Sequence, residues 1–113
     1  MKKTLKKDCR TIFEAGIKAV NPYQAVKHYL KGEGDFLYLP DHTFNLSAFK
    51  NIYVLGAGKA SAYMALALEE ILGERLKGGL IIVKYGHGAH LKKVKIIEAG
   101  HPIPDGNGLC GAR

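Results

Sequence analysis

The sequence predicts an α/β sandwich, and three observations support that prediction. The apolar runs LIIVKYG and VKIIEAG are rich in β-branched residues, which is typical of strands buried on both faces in a parallel sheet. A third run, NIYVL, is followed by a glycine turn and a helix-like segment, which gives the strand–helix–strand order of this fold class. We therefore expect a Rossmann-like three-layer sandwich. Because few helix-forming residues follow the third strand, we expect only its N-terminal portion, with the sandwich incomplete.

The N-terminal part of the chain predicts two helices and one short strand. The first helix has one apolar face, formed by residues at three-and-four spacing: Leu5, Cys9, Ile12, Phe13, Gly16, Ile17 and Val20. Asn21 is expected to cap a second helix, PYQAVKHYLK, with Pro22 at its first position and Gly32 at its end. The segment GEGD predicts a turn, FLYLP a short strand, and DHTFNLSAFK a loop with a little extended chain.

The C-terminal part predicts three strands and one long helix. The helix ASAYMALALEEIL follows the glycine turn and is expected to end at Gly73. The link between LIIVKY and VKIIEA has only about eight residues, fewer than the dozen or so that a parallel crossover needs. We therefore expect these last two strands either to form a hairpin or not to be neighbours.

Length and charge restrict the classes of partner. The chain has 113 residues, which suits one domain, and a formal net charge of +7. This charge favours anionic partners such as phosphorylated metabolites or carboxylates. Because no predicted helix or ribbon carries interleaved arginine and aromatic residues, we expect no nucleic-acid partner. No apolar run approaches the roughly 20 residues of a spanning helix, so we expect no membrane partner.

Cysteine usage indicates the compartment. Cys9 and Cys110 lie far apart in a sequence without a Cys-x-x-Cys pair, which argues against a zinc cluster or a disulfide framework. Free thiols fit a reducing compartment, and no apolar signal-peptide segment follows the basic N-terminus. We therefore predict a cytoplasmic protein without a metal site of its own. An open sheet edge would also allow a homo-oligomer to form.

The most informative motif is Gly-Ala-Gly-Lys, from Gly56 to Lys59, between a strand and a helix. Glycine at Gly56 and Gly58 permits positive φ and close approach of a ligand. The helix N-terminus that follows presents unpaired N–H groups and a partial positive charge. Lys59 adds a full charge at the same place, so the turn favours a phosphate or a carboxylate.

Two better-known phosphate loops fit this turn poorly. It is not a Walker A loop, because Tyr53 stands where that pattern needs glycine. Nor is it a full dinucleotide fingerprint, because Ser61 replaces the third glycine. Lys84, near the end of the second strand, would suit an extra phosphate, which leaves an NADP-type site open. A tight turn that merely carries a surface lysine is the structural alternative.

Histidines and one carboxylate follow the second and third strands. His87 and His90 frame a glycine-rich loop that is unsuited to a helical metal site. In HPIPD, two prolines fix the backbone directly after a buried strand. This should hold His101 and Asp105 at the same sheet edge as Gly56. The alternative is a rigid turn with a polar tip.

Taken in series, four blocks resemble a known family: DCRTIFEAGIKAVNP, IYVLGAGKASAYMA, LIIVKYGHG and IIEAGHPIPDGNG. They are similar to the N-terminal part of the glycerate 2-kinases, whose C-terminal portion is called the MOFRL domain. The resemblance runs from about Asp8 to Asn107. It implies ATP-dependent phosphorylation of D-glycerate to 2-phosphoglycerate, with a divalent metal such as Mg²⁺. Some members carry the older label hydroxypyruvate reductase. An NADP-dependent reductase, which would rest on Gly56-x-Gly58 and Lys84, remains an alternative.

The resemblance also implies roles for particular residues. Lys59 would be the catalytic residue, in contact with glycerate or the transferring phosphate. The residues implied in substrate binding are Gly56, Gly58, Lys59, Ser61, His87, His101 and Asp105. Because members of the family are much longer, we expect residues 1–113 to be the N-terminal part of the kinase α/β domain, without the MOFRL domain and inactive in isolation. A non-catalytic anion-binding α/β module is the third alternative.

Overall fold

A computed structural model describes residues 2–113, with side chains from Thr4 onward. The helices are α1 (Lys2–Ala19), α2 (Pro22–Tyr29), α3 (Ser61–Leu72) and α4 (Gly106–Gly111). The strands are β1 (Lys31–Glu33), β2 (Phe36–Tyr38), β3 (Thr43–Asn45), β4 (Ile52–Ala57), β5 (Leu76–Lys84) and β6 (Val94–Ala99). Short 3₁₀ turns lie at Leu46–Ala48 and Gly73–Arg75. No helix within residues 2–113 combines the length and hydropathy that crossing a bilayer requires.

A parallel sheet of order β4-β5-β6 forms the centre of the protein. Side chains alternate between its two faces, because successive residues of a strand point in opposite directions. Ile81 and Val83 belong to the core cluster that includes residues of α3, whereas Gly111 of α4 packs against Ile82 and Ile97. Helices therefore cover opposite faces of the sheet, and the predicted α/β class with a parallel sheet is confirmed.

The core lies between α3 and the sheet. Leu76, Ile81 and Val83 are almost fully buried on β5. Facing them, α3 contributes Ala62 and Ala65, whose small side chains let the helix approach the strands closely.

The prediction about the last two strands was wrong: β5 and β6 are parallel neighbours, with Gly79 opposite Val94 and Lys84 opposite Ala99. The link between them is nevertheless long enough to return to the other end of the sheet. Residues 85–93 can span roughly 30 Å, whereas the six residues of β6 cover only about 20 Å. The returning chain is held by Glu69 of α3, whose carboxylate accepts hydrogen bonds from the N–H groups of Lys92, Lys93 and Val94.

A second, antiparallel sheet of order β1-β2-β3 was only partly predicted. The strand in FLYLP is confirmed as β2. The preceding helix is shorter than expected, because Leu30 is already extended and Lys31–Glu33 form β1. The predicted turn is reduced to Gly34, with φ of 56°, and Asp35. Part of the segment expected to be a loop pairs with β2 as β3.

The predicted helix boundaries agree with the structure better than the predicted strands of the second sheet do. Asn21 caps α2, since its side-chain oxygen accepts a hydrogen bond from the N–H of Gln24 at 3.0 Å. Gly73 ends α3 with φ of 53°. Helix α1 forms as predicted, but its apolar side chains are exposed: Leu5, Ile12, Phe13 and Ile17. Cys9 and Cys110 are exposed free thiols.

Candidate anion-binding site at the carboxyl edge of the parallel sheet

An open cleft of about 170 Å³ lies where the three parallel strands end. Each strand contributes its end and the residues just after it: Ala57 to Lys59, Ile82 to Lys84, and Ala99 to His101. Ligands of open α/β sheets bind at this carboxyl edge. The nine lining residues include two lysines and a histidine but neither aspartate nor glutamate, so the cleft is electrostatically suited to an anion.

A larger hollow of about 250 Å³ lies elsewhere, beside the C-terminal half of α3. Several of its charged groups already have partners. Glu69 accepts three backbone N–H bonds, and Lys93 lies 3.3 Å from the carboxylate of Glu74. This hollow therefore serves the packing of the returning chain, and we place the candidate site at the carboxyl edge.

The glycine turn is rigid and left-handed at Gly58, where φ is 111°. The Gly58 N–H donates to the carbonyl oxygen of Ile82 at 2.9 Å, and its own carbonyl oxygen accepts from the N–H of Ser61 at 3.2 Å. The expectation of freely available N–H groups therefore fails at Gly58. Ala60 precedes α3, and its methyl group offers no side-chain cap to the first turn. The availability of the next N–H groups of α3 to a ligand stays a prediction.

Gly56 and Ser61 lie beneath the turn. A Cβ atom at Gly56 would lie 3.4 Å from Ile81 Cγ2 and 3.6 Å from Ser61 Oγ. Ser61 is buried. Gly56 is exposed, and neither residue is among the nine that line the cleft. Their direct contact with substrate stays a prediction.

Hydrogen bonds fix the position of the Asp105 carboxylate. One carboxylate oxygen accepts from the N–H of Gly108 at 3.2 Å and caps α4, while the other accepts from the Tyr85 hydroxyl at 2.7 Å. Asn107 Nδ2 donates to the same Tyr85 hydroxyl at 3.0 Å. The hydrogen bond from Tyr85 lowers the pKa of Asp105, and that bond raises the pKa of Tyr85 in turn. The carboxylate therefore stays ionised and joins the loops that follow β5 and β6.

The two predicted histidines are placed differently. His101 follows β6 and lines the cleft together with Lys59. His87 is half-buried in the loop after β5, and its Nδ1 lies 3.1 Å from the carbonyl oxygen of Tyr85. Of the predicted site residues, the structure brings Gly58, Lys59 and His101 together in the cleft lining. The site roles of His87 and Asp105 stay predictions.

Lys84 also lines the cleft, and the predicted substrate-binding set missed it. A signal was available, because Lys84 is the last residue of a buried parallel strand and such residues meet at the carboxyl edge. Among residues 2–113, no group of three or more histidine, cysteine, aspartate or glutamate side chains is placed to hold a metal ion.

Fold and cleft together define a protein of the parallel α/β class with a basic cleft at the carboxyl edge of its sheet. The chain belongs to the family DUF4147, described as a domain of unknown function, which matches residues 8–113. It is 41% identical over 104 residues to a glycerate 2-kinase of Pyrococcus horikoshii, covering 92% of this chain and 22% of that protein. It is 35% identical over 111 residues to a D-glycerate 2-kinase of Thermotoga maritima, covering 97% of this chain and 23% of that protein.

The fold agrees with a solved structure from the same archaeon. A crystal structure of a Pyrococcus horikoshii protein matches with a TM-score of 0.80 and 37% identity, covering 96% of this chain and 24% of that one. The resemblance to the glycerate 2-kinases is therefore confirmed. The chain spans about a quarter of the length of the relatives it matches.

Proposed function

We propose that this chain provides the glycerate-binding cleft of an ATP-dependent glycerate 2-kinase, which converts D-glycerate to 2-phosphoglycerate. The observation that carries the proposal is the basic cleft around Lys59, in a chain that is 41% identical to a glycerate 2-kinase. D-glycerate brings a carboxylate and ATP brings phosphates, so both reactants suit a lining of lysine, histidine and glycine.

The chemistry requires little covalent help from the protein. The 2-hydroxyl oxygen of glycerate forms a bond to the γ-phosphorus of ATP. The bond from that phosphorus to the bridging oxygen breaks, its electron pair stays on the departing ADP, and the hydroxyl proton passes to solvent. Such transfers depend on positioning and on positive charge near the moving oxygens. Lys59 follows a rigid turn at the N-terminal end of α3, where its charge adds to the positive end of the helix dipole. We therefore assign Lys59 to the transferring phosphoryl group.

Gly58 and His101 would complete this half of the site. The left-handed backbone at Gly58 leaves room for a ligand beside the turn. His101 lines the opposite part of the cleft, from the end of β6, and can donate a hydrogen bond to an anion. Asp105 and Tyr85 would position the loop that carries His101.

Magnesium does not fit this part of the site. The lining offers nitrogen donors, whereas Mg²⁺ prefers oxygen ligands, and the described residues contain no three-ligand cluster. None of these nine residues is therefore assigned as a ligand of Mg²⁺. Because the chain spans a quarter of its relatives, we propose that it binds ligand without turnover, and sustained ATP-dependent phosphorylation of D-glycerate by this chain alone would refute that part.

A thermal-shift series tests the proposal with D-glycerate, 2-phosphoglycerate, ATP and NADPH. A ligand present at 100 times its dissociation constant adds about 2.7 kcal/mol of stability. We expect 2-phosphoglycerate and D-glycerate to stabilise the wild type, and Lys59→Ala to abolish the effect of 2-phosphoglycerate. The matched control is Lys50→Ala, an exposed lysine that precedes β4 at the opposite edge of the sheet.

Two results would replace the proposal. Stabilisation by NADPH alone would favour an NADP-dependent reductase, a reading supported by the presence of Lys84 in the cleft. Equal stabilisation of the wild type and Lys59→Ala by every anion would indicate a non-catalytic module that binds anions without a defined site.

A further inference from the structure

Three lysines within residues 4–113 are half-buried: Lys27, Lys84 and Lys93. Two of them have a carboxylate partner. Lys27 Nζ lies 2.8 Å from the carboxylate of Glu70, and Lys93 Nζ lies 3.3 Å from that of Glu74. Arg75, the half-buried arginine, pairs with Asp35. Each of these three half-buried cations, Lys27, Lys93 and Arg75, is thus paired with a carboxylate.

Lys84 departs from that rule. It belongs to none of the four ion pairs that form within the described part of the chain. It ends the central strand of the sheet and lines the cleft, whose nine residues include no aspartate or glutamate. Because Lys84 has no carboxylate partner in this lining, its positive charge is available to an anion that comes from a ligand.

Resting on the proposed function, we propose that Lys84 holds the carboxylate of glycerate while Lys59 faces the phosphoryl group. The carboxylate is present in both substrate and product, so a half-buried lysine on a rigid strand suits this constant group. Lys59 is exposed and follows a turn at a helix N-terminus, which suits the phosphoryl group that is transferred in the reaction. Lys84 would therefore make the site select acids over the corresponding alcohols.

Three probes separate the two roles in binding measurements on this chain. D-glycerate carries only the carboxylate, glycerol 2-phosphate carries only the phosphate, and 2-phosphoglycerate carries both. A hydrogen-bonded charge contributes about 1.5–3 kcal/mol, which corresponds to roughly a 10- to 150-fold change in dissociation constant. We expect Lys84→Met to weaken D-glycerate and 2-phosphoglycerate at least tenfold while changing glycerol 2-phosphate less than about threefold.

Matched variants complete the test. Lys77→Met, an exposed lysine on the same strand at its other end, should leave all three affinities unchanged, and Lys84→Arg should retain most of the affinity for D-glycerate. Circular dichroism spectra and melting curves check that each variant is folded.

The outcomes separate this inference from the proposed function. If Lys59→Met weakens the phosphate-bearing probes but Lys84→Met matches Lys77→Met, the role of Lys84 is refuted and the proposed function stands. Equal weakening of glycerol 2-phosphate and D-glycerate by Lys84→Met would also refute the carboxylate assignment. If the wild type binds none of the three probes at millimolar concentration, both proposals fail for this chain.

Discussion

Helices α1 and α3 both present apolar side chains, but those side chains have different surroundings. In α3, Ala62 and Ala65 are 0% and 1% exposed against the parallel sheet. In α1, Ile12 and Phe13 are 72% and 68% exposed. An apolar stripe predicts that a helix forms and which face seeks a partner, but burial depends on whether the fold supplies that partner. Stability should therefore reside in β4, α3, β5 and β6, the same elements that build the cleft.

The largest expected difference in the free energy of unfolding is between the replacement of a buried isoleucine and that of an exposed one. Ile81→Ala should lower the free energy of unfolding by about 2–5 kcal/mol, because Ile81 is 1% exposed in the centre of the core. Ile17→Ala in α1 should change it by less than about 0.5 kcal/mol. Urea denaturation measures both. Similar losses would mean that α1 packs against the sheet in solution.

A second pair of substitutions examines how closely the strands approach. A Cβ atom at Gly79 would overlap the carbonyl oxygen of Val54 on β4, whereas one at Gly78 would lie 3.6 Å from the nearest atom, the carbonyl oxygen of Lys93. Gly79→Ala should destabilise by about 1–3 kcal/mol, while Gly78→Ala should be neutral or slightly stabilising. Thermal unfolding of the two variants checks this, and equal melting temperatures would show that β4 can shift away from β5.

The third prediction concerns Glu69, which fixes the returning chain. Burial opposes its ionisation, but hydrogen bonds from the N–H groups of Lys92, Lys93 and Val94 outweigh burial and lower the pKa of Glu69. Because the folded-state pKa is depressed, its stabilisation is present above the ordinary glutamate pKa of about 4.3 and is lost as pH falls through the folded-state value.

Glu69→Gln should therefore cost about 1–3 kcal/mol at pH 7 and flatten the acid side of the stability curve. The exposed Glu33→Gln on β1 provides the isosteric control and should leave that curve unchanged. Urea melts between pH 3 and pH 7 make the measurement. An unchanged pH dependence in Glu69→Gln would contradict the structural role of this carboxylate.

The smallest expected effect is at Tyr85. Removing its hydroxyl in Tyr85→Phe deletes the hydrogen bond that most lowers the pKa of Asp105. The pKa of Asp105 should rise toward its ordinary value, with little change in overall stability because both groups are on the surface. A carboxyl ¹³C titration by NMR detects the shift. An unmoved titration would show that the Tyr85–Asp105 bond does not form in solution.

Local signals in the sequence predicted the local features of the fold. The Asn21 cap, the end of α3 at Gly73 and the glycine turn each depend on residues a few positions apart. Periodicity and composition were sufficient to locate the three strands of the central sheet and the edge at which Lys59 and His101 meet, but not the parallel pairing of the last two strands.

Long-range interactions account for what the sequence did not predict. The parallel pairing of β5 and β6 depends on Glu69, which lies 23 to 25 residues from the N–H groups it binds. The engagement of Asp105 by Tyr85, 20 residues away, and the partial burial of Lys84 likewise arise only when the strands assemble. The predicted substrate-binding set omitted Lys84, because the sequence indicated this lysine only for an alternative NADP-type site.

The central claim is that the cleft at the carboxyl edge binds an anionic substrate through Lys59. An NMR titration of backbone amides with 2-phosphoglycerate tests it most directly, because α1 carries exposed lysines such as Lys6 and Lys7 that attract anions without a defined site. We predict saturable shifts at Lys59, Gly100 and His101 that disappear in Lys59→Ala. Shifts that follow the lysines of α1, or cleft shifts that persist unchanged in Lys59→Ala, would contradict the claim.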